Sequence, residues 1–337
     1  MEGRVTLLRQ AAVAFLLAFS LVDAVHAEEV KIGALKSVGA APLYIAIDRG
    51  YFAAEGFTPT IVYFDASQPI VSATVSGDID VGVTGTTGGY FQLAGQGALK
   101  LIGGYSREVP GFNFNAYVVS AKAYEAGLRS FKDLPGQSFA ISQIGSPNHY
   151  ALALIAQKYG FDLSTLRIMP LQSIGNIASA VTGGSADAAY LLGTPAIPLI
   201  QKGDLHLLGW SGDETPWQLG ALFVSTKSAN DRGAMIKRFL TAYRKGAQDY
   251  HDAFTGPGET RKDNAGADEA AAIIAKGTGL TVDHVKAGII FIDPQARLDE
   301  DDVLRQAAWY KSQGMVKESV TRDVLFDKRY VISLPAK

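Results

Sequence analysis

The strongest constraint on the fold is an internal repeat that keeps its register without a gap. Residues 70–87 (IVSATVSGDIDVGVTGTT) align with residues 177–194 (IASAVTGGSADAAYLLGT) at an offset of 107 positions, with six identities. The offset then slips to 106, where LKLIGG matches LHLLGW, and to 105, where AYVVSAK matches ALFVSTK. A repeated order of segments over this length predicts two similarly built lobes.

Each copy alternates short apolar runs with helical patterns. In the first copy, strands are predicted at residues 30–35, 60–64 and 79–84, and helices at residues 42–54 and 69–76. Such alternation favours parallel sheets with right-handed crossovers. The carboxyl ends of the strands and the amino ends of the helices then meet at one edge of each lobe, where ligands bind.

The sequence therefore predicts an α/β fold of two lobes, each built on a mostly parallel sheet, with a ligand cleft between them. Residues 28–118 and 221–337 are assigned to the first lobe and residues 119–220 to the second. Two β-rich runs, residues 115–120 and 220–225, each follow the last strand of a copy. We expect these runs to be paired connecting strands that form a hinge. Helical patterns after Lys227 are expected to cover the first lobe.

Composition excludes several classes of function. The chain contains no cysteine, which removes thiolate catalysis, disulfides, thiolate-bound zinc and iron–sulfur sites. A net charge of −2 offers no basic field for a nucleic acid. We predict no cofactor, no metal, no nucleic-acid partner and a monomeric protein.

The amino-terminal segment has the pattern of a cleavable secretory signal. Arg4 and Arg9 lead into residues 11–22, an apolar run of 12 residues, which is too short for a membrane helix of about 20. Small residues precede an expected cleavage after Ala27. Without a cysteine for lipid attachment, release into the periplasm is expected.

Several helix starts are expected to converge on the cleft. Ser146-Pro147 and Thr194-Pro195 both have the pattern of an N-cap followed by proline, and Gly160 and Gly203 are placed to end the two helices. Further starts are predicted at Ala41-Pro42, Thr86-Thr87 and Ser173. Free N–H groups at converging helix ends could hold an oxyanion without an arginine. Taken singly, each cap is more often purely structural.

The repeat register adds side chains at the strand ends. An aromatic such as Tyr105 or Trp210 could stack on a planar ligand or belong to the core. His149 could donate to an anion or be an ordinary packed residue, whereas Asp80 and Asp187 fit turn or cap hydrogen bonding. The predicted ligand-binding residues are Ser37, Gly39, Asp65, Thr86, Thr87, Tyr105, Ser146, Asn148, His149, Gln172, Thr194 and Trp210.

No catalytic residue is predicted. The sequence contains no phosphate-binding loop, dinucleotide fingerprint, nucleophile elbow, zinc-protease motif or calcium loop. An enzyme using the same two-lobed architecture, such as a dehydratase acting on a small acid, stays the less favoured interpretation.

The most specific signal is the stretch VKIGALKSVGAAPLYIAIDRGYFAAEGF at residues 30–57, followed by GDIDVG and later by GSADA. It resembles the substrate-binding proteins of ABC importers for nitrate, sulfonate and taurine, a group that also includes binders of thiamine pyrimidine precursors. The resemblance runs from about Val30 to Phe326.

This resemblance implies a type II periplasmic-binding-protein fold that closes on its ligand and docks to a membrane permease with its ATPase. It implies a small organic anion as ligand, such as a sulfonate, taurine, nitrate or a related acid. An aromatic acid, a thiamine pyrimidine precursor and a ligand-sensing role instead of import all remain open.

Overall fold

The computed structural model describes residues 27–335. The expected signal segment is residues 1–27, and residues 1–26 of it lie outside the described residues. Within the described range, no helix combines the length and the apolar character that crossing a membrane requires.

The strands are short. In chain order they are β1 Glu28–Leu35, β2 Phe57–Phe64, β3 Val81–Gly85, β4 Leu99–Gly104, β5 Arg107–Glu108, β6 Asn115–Ser120, β7 Ser138–Ile141, β8 Arg167–Pro170, β9 Ala188–Leu192, β10 Leu205–Trp210, β11 Trp217–Gln218, β12 Gly220–Ser225, β13 Thr255–Gly256 and β14 Thr260–Arg261.

Helices fill most of the intervening segments. In chain order they are α1 Ala41–Asp48, α2 Tyr51–Ala54, α3 Ser67–Ser76, α4 Gly88–Gly95, α5 Ala121–Glu125, α6 Pro147–Tyr159, α7 Ile174–Thr182, α8 Gly193–Lys202, α9 Ser211–Glu214, α10 Thr226–Asp231, α11 Gly233–Phe254, α12 Ala267–Thr278, α13 Val282–Ala287, α14 Glu300–Ser312 and α15 Arg322–Leu325.

Two five-stranded sheets of the same topology organise the described chain. Their strand orders are β2-β1-β3-β12-β4 and β10-β6-β9-β7-β8. In each sheet one strand, β12 or β6, runs antiparallel to both of its neighbours, and the other four strands share one direction. The prediction of two mostly parallel sheets in an α/β fold is therefore confirmed.

The internal repeat corresponds to matching elements. Strands β3 and β9 begin and end 107 residues apart, β4 and β10 are 106 apart, and β6 and β12 are 105 apart. Equivalent hydrogen bonds accompany them: Asp80 accepts from the backbone N–H of Lys31, and Asp187 accepts from that of Ser138, both at 2.8 Å. The two aspartates tie neighbouring strands together, which is the structural role expected of them.

The prediction of paired hinge strands is wrong in one respect. Residues 115–120 and 220–225 do form strands, but they do not pair with each other. Each becomes the antiparallel strand inside the sheet built mainly from the other copy, because the chain crosses over before it. The short ribbon that pairs the two crossing segments is β5 with β11, where Glu108 lies opposite Trp217.

Two local predictions also need correction. The helix expected at residues 42–54 is broken into α1 and α2, because Gly50 takes a positive φ of 71° between them. The loop expected at residues 256–266 contains the two-residue ribbon of β13 and β14. Helices α11, α12 and α14 form where helical spacing predicted them.

Candidate functional site

A cavity lies between the two sheets, at the edge where the parallel strands of both sheets end. The first sheet contributes the residues that follow β1, β2 and β3, and the second contributes those around β7 and β9. This is the edge at which open parallel sheets bind ligands. The lining residues are Leu35, Ser37, Asp65, Ala66, Ser67, Thr84, Gly85, Tyr105, Phe114, Asn115, Ser142, Pro147, Asn148, Ile174, Ile177, Tyr190, Leu191, Leu192 and Leu219.

Apolar and neutral polar groups dominate this wall. Phe114, Tyr105 and Tyr190 supply aromatic rings that are almost fully buried. Asp65 is the one charged residue among the lining residues given above, and its side chain is exposed to solvent. The apolar residues of this wall suit the organic body of a small molecule rather than a bare inorganic ion.

Three helices begin at the cavity wall. Ala66 and Ser67 start α3, Pro147 and Asn148 start α6, and Ile174 starts α7. The first N–H groups of a helix have no acceptor within the helix, and the helix dipole makes this end favourable for negative charge. Because α3 follows a strand of the first sheet and α6 and α7 follow strands of the second, positive helix ends face the cavity from both sides.

Serine caps stabilise two of these three starts. The hydroxyl of Ser146 accepts from the backbone N–H of His149 at 3.4 Å, and that of Ser173 accepts from the N–H of Asn176 at 3.2 Å. Both caps match the sequence prediction. The third start, α3, has Ala66 at its N-cap and no side-chain cap bond. The sequence analysis predicted this helix from residue 69 and did not include its start among those that converge on the cleft.

Hydrogen bonds between hydroxyl and amide groups fix the polar part of the wall. The hydroxyls of Ser67 and Thr84 are 2.8 Å apart, which joins the start of α3 to strand β3. Ser142 donates to Oδ1 of Asn148 at 3.3 Å. Two further groups of the second sheet, the amide of Asn115 and the hydroxyl of Tyr190, donate to the buried carboxyl of Glu108.

Four of the predicted ligand-binding residues line the cavity: Ser37, Asp65, Tyr105 and Asn148. A fifth, Gly39, lies directly against the ring of Tyr105. A Cβ at this glycine would come within 1.9 Å of the tyrosine hydroxyl, so the missing side chain allows Tyr105 to occupy its position.

The remaining predicted residues lie outside this lining. Thr86 is buried and donates to Oε1 of Gln306 at 2.5 Å, whereas Thr87 caps α4 by accepting from the N–H of Tyr90. Gln172 is exposed and accepts from Gln143. Ser146 acts as the cap described above, adjoining the lining residue Pro147.

Thr194 does not have the predicted role of N-cap. Helix α8 begins at Gly193 with Leu192 as its N-cap, two residues before the predicted start at Pro195, and the N–H of Gly193 bonds to the carbonyl of Phe114. A side chain at Gly193 would place its Cβ 2.0 Å from the carbonyl oxygen of Asn113, so this close approach needs glycine. Thr194 instead packs against Gly288.

His149 and Trp210 are packed residues. The ring nitrogen Nδ1 of His149 accepts from the backbone N–H of Gly145, and the ring meets Trp309 edge-on. Burial lowers the pKa of His149 to about 4, which leaves the imidazole neutral near pH 7. Trp210 is half-buried, ends β10 and packs on the small core cluster of the second sheet.

The sequence analysis did not identify several lining residues. It did not predict that β6 and β12 each join the sheet built mainly from the other copy of the repeat. Phe114 and Asn115 precede and start β6, which the sequence analysis assigned to a hinge, and Leu219 precedes β12. Tyr190 lies within a buried strand that has the pattern of ordinary core. A signal was present for Asn115, since it is a polar residue at the start of an otherwise apolar strand.

Helices and loops attached to the two sheets also contact each other near the cavity. The N–H of Gly88, at the start of α4, donates to the carbonyl of Gly145 at 2.9 Å. The hydroxyl of Tyr310, in α14, donates to the carbonyl of Ser146 at 2.9 Å. The cavity is thus bounded by direct contacts between the parts of the chain that carry each sheet.

Comparisons with known proteins agree with this architecture. The crystal structure of the periplasmic aliphatic sulphonate binding protein SsuA from Escherichia coli is 18% identical, covering 90% of this chain and 99% of that one, with a TM-score of 0.67. The alkanesulfonate-binding protein SsuA from Xanthomonas axonopodis pv. citri, bound to MOPS, is 19% identical over 88% and 98% of the two chains, with a TM-score of 0.69.

An enzyme shares the fold as well. The desulfurization enzyme DszB is 14% identical, covering 91% of this chain and 96% of that one, with a TM-score of 0.61. No curated protein matches the chain in sequence.

The sequence profile of the family described as NMT1/THI5 like matches residues 38–253, which is more than half of the chain. The matched segment includes all the strands of the second sheet and most of the cavity lining. Fold, cavity position and family profile agree, and this chain belongs to the NMT1/THI5-like family.

Proposed function

We propose that this protein is the solute-binding component of an ABC importer and captures a small organic acid in the cavity between its sheets. One observation carries the proposal: helix starts from both sides face a cavity whose other lining residues, apart from the exposed Asp65, are apolar or neutral polar. The acid group would bind at the starts of α3, α6 and α7, and the organic body would contact Phe114, Ile177 and Leu192.

Apolar character and charge support an organic acid over the other candidates. Nitrate has no organic body and would leave the apolar part of the wall without a partner. The family and the sulfonate-binding proteins of the same fold add support for a sulfonate or a related acid. Export to the periplasm and delivery to a permease with its ATPase belong to the same proposal.

We propose binding rather than catalysis for this site. The likeness to DszB shows that the fold can carry an enzyme. The lining holds a single, solvent-exposed carboxylate and no histidine or lysine. Its hydroxyls, such as Ser67 and Thr84, hydrogen-bond to each other rather than to a base. This set of groups suits recognition of a solute better than general acid–base chemistry.

A matched panel of compounds tests the ligand class. Hexanesulfonate, hexanol and hexylammonium share one apolar tail and carry a negative, a neutral and a positive head group. We expect hexanesulfonate to raise the melting temperature most, because a compound bound at 100 times its Kd adds about 2.7 kcal/mol of stability. Hexylammonium should have no effect, since positive helix ends repel a cation.

The same panel includes the alternatives. Nitrate, taurine, benzoate and a neutral aminopyrimidine are measured beside the hexyl compounds by thermal shift and calorimetry. Stronger stabilisation by nitrate or by hexylammonium than by hexanesulfonate would overturn the proposed ligand class. Uptake of the bound compound by cells with and without this protein then distinguishes an importer from a ligand sensor.

A further inference from the structure

Glu108 is a carboxylic acid buried at the junction of the two sheets. It lies in β5, opposite Trp217 of β11, in the short ribbon formed where the chain crosses between the sheets. Only 1% of its surface is exposed. Its neighbour in sequence, Arg107, forms an ion pair with Glu259 at 2.8 Å and stacks on Phe291, so the Arg107 guanidinium is not paired with Glu108.

The carboxyl of Glu108 does not line the cavity, but it hydrogen-bonds to two residues that do. Its Oε1 accepts from Nδ2 of Asn115 at 2.5 Å and from the hydroxyl of Tyr190 at 3.3 Å, and both of these residues line the cavity. The Tyr190 hydroxyl also lies 2.9 Å from the hydroxyl of Ser211, which the indole N–H of Trp217 reaches at 3.4 Å. One network therefore joins the β5–β11 ribbon to two groups that face a bound solute.

Within residues 27–335, the other oxygen of Glu108 has no hydrogen-bond partner, and the carboxyl is in no ion pair. Burial raises the pKa of Glu108 to about 8, an effect opposed by the hydrogen bonds from Asn115 and Tyr190 and reinforced by the negative charge of Asp213 in α9. The phenol of Tyr190 has a pKa raised well above its ordinary value of 10.0, so it stays neutral. Near pH 7 the group behind the wall is therefore predominantly a neutral acid.

We propose that Glu108 is a positioning residue for solute capture, which holds the amide of Asn115 and the hydroxyl of Tyr190 in the orientation that the bound acid requires. This inference rests on the proposed function, because it assigns a role within the same cavity. In its neutral form Glu108 presents one acceptor oxygen to both donors. Glutamine can do the same, whereas leucine cannot.

Three variants separate positioning from structural support. Glu108→Gln keeps the acceptor oxygen, and Glu108→Leu removes it with similar volume. Asp302→Asn is the matched control, since Asp302 is also a buried acid beside the ribbon, with a raised pKa and with Gln218, Arg305 and Gln306 as its partners. None of those partners lines the cavity.

The first readout is calorimetric affinity for hexanesulfonate. At pH 6.5 we expect Glu108→Gln and Asp302→Asn to bind within threefold of the wild type, and Glu108→Leu to bind at least tenfold more weakly. Above pH 8 the wild type should lose affinity, because an ionised Glu108 places a negative charge behind the anion site. Glu108→Gln should show no such loss. Equal affinity of Glu108→Leu and the wild type at both pH values would overturn the proposal.

The second readout needs no solute. The side-chain amide resonances of Asn115, followed by ¹⁵N NMR, should show slow solvent exchange in the wild type and in Glu108→Gln, and fast exchange in Glu108→Leu. If the wild type binds no compound of the panel, the proposed ligand class is wrong, and these resonances alone decide on Glu108. Unchanged Asn115 signals in Glu108→Leu would then refute its positioning role.

Discussion

At the scale of single residues, the cavity shows how one local motif can serve different purposes. Ser146 and Ser225 both cap a helix by accepting a backbone N–H three residues on, at 3.4 and 3.1 Å. The helix that Ser146 caps begins at the cavity wall, whereas Ser225 caps α10, none of whose residues lines the cavity. Only the first cap can influence a bound solute, so position in the fold decides its functional meaning.

This difference makes a testable prediction. Ser146→Ala and Ser225→Ala should each reduce the free energy of unfolding by about 1 kcal/mol, the usual loss for a serine N-cap. Ser146→Ala alone should also weaken hexanesulfonate binding, by roughly fivefold, because the start of α6 becomes less ordered. Calorimetry and urea denaturation measure the two effects. Equal affinities of both variants would mean that α6 does not hold the solute.

Glu108 also predicts how stability depends on pH. The unfolded chain loses the Glu108 proton near pH 4.5, whereas the native protein keeps it up to about pH 8. The contribution of this group to stability therefore falls as pH rises from 4.5 to about 8, by at most on the order of 5 kcal/mol in total, and is constant above that.

Glu108→Gln lacks this titration. Its free energy of unfolding, relative to that of the wild type, should therefore increase between pH 5 and pH 8. Urea denaturation at pH 5, 6.5 and 8 follows the difference. A difference that does not change with pH would show that Glu108 is ionised in the native protein at all three values.

At the scale of elements, the repeat predicted the order of strands and helices well. Its offsets of 107 and 106 carry the observed β3 onto β9 and the observed β4 onto β10 at both ends, although the strand predicted at residues 79–84 forms at residues 81–85. The exchange of β6 and β12 between the sheets was not predictable in the same way. A strand's choice of partner depends on contacts distant in sequence, and an apolar run fits either sheet.

The same reason explains the mixed success at the site. Ser37, Asp65 and Asn148 follow strands whose ends the repeat located, and all three line the cavity. Asn115 and Phe114 were missed because they belong to an exchanged strand. Thr194 was expected to be a cap because of its resemblance to Ser146, yet α8 starts two residues earlier, at Gly193, whose N–H bonds to the carbonyl of Phe114.

A close contact between β3 and α6 beside the cavity leads to another prediction. Gly85 ends β3 in the first sheet, and a Cβ there would lie 2.5 Å from Cγ of Pro147, the first residue of α6. Gly85→Ala should therefore hold the two parts of the molecule apart. We expect at least a tenfold loss of hexanesulfonate affinity with little change in melting temperature.

Gly103→Ala is the control for this variant. Its Cβ would meet Cδ1 of Leu222 at 3.3 Å, a contact that stays within the first sheet. Affinity should be close to that of the wild type. A similar loss of affinity in both variants would assign the effect to strain within the sheet rather than to contact between the sheets.

At the scale of the whole molecule, two similar sheets enclose one cavity and are joined by few connections. Besides the chain crossings at the β5–β11 ribbon, contacts such as Gly88 with Gly145 and Tyr310 with Ser146 hold the two parts together. Because the parts have separate sheets, rigid-body closure can bring these contacts together without changing either sheet. A solute that touches both walls favours the closed form differentially.

Small-angle X-ray scattering of the wild type with and without hexanesulfonate tests this account most directly, at a concentration where calorimetry shows saturation. We predict that the radius of gyration decreases when the compound binds, and that Gly85→Ala fails to reach the compact value. An unchanged radius of gyration in the saturated wild type would contradict closure of the two sheets around the solute.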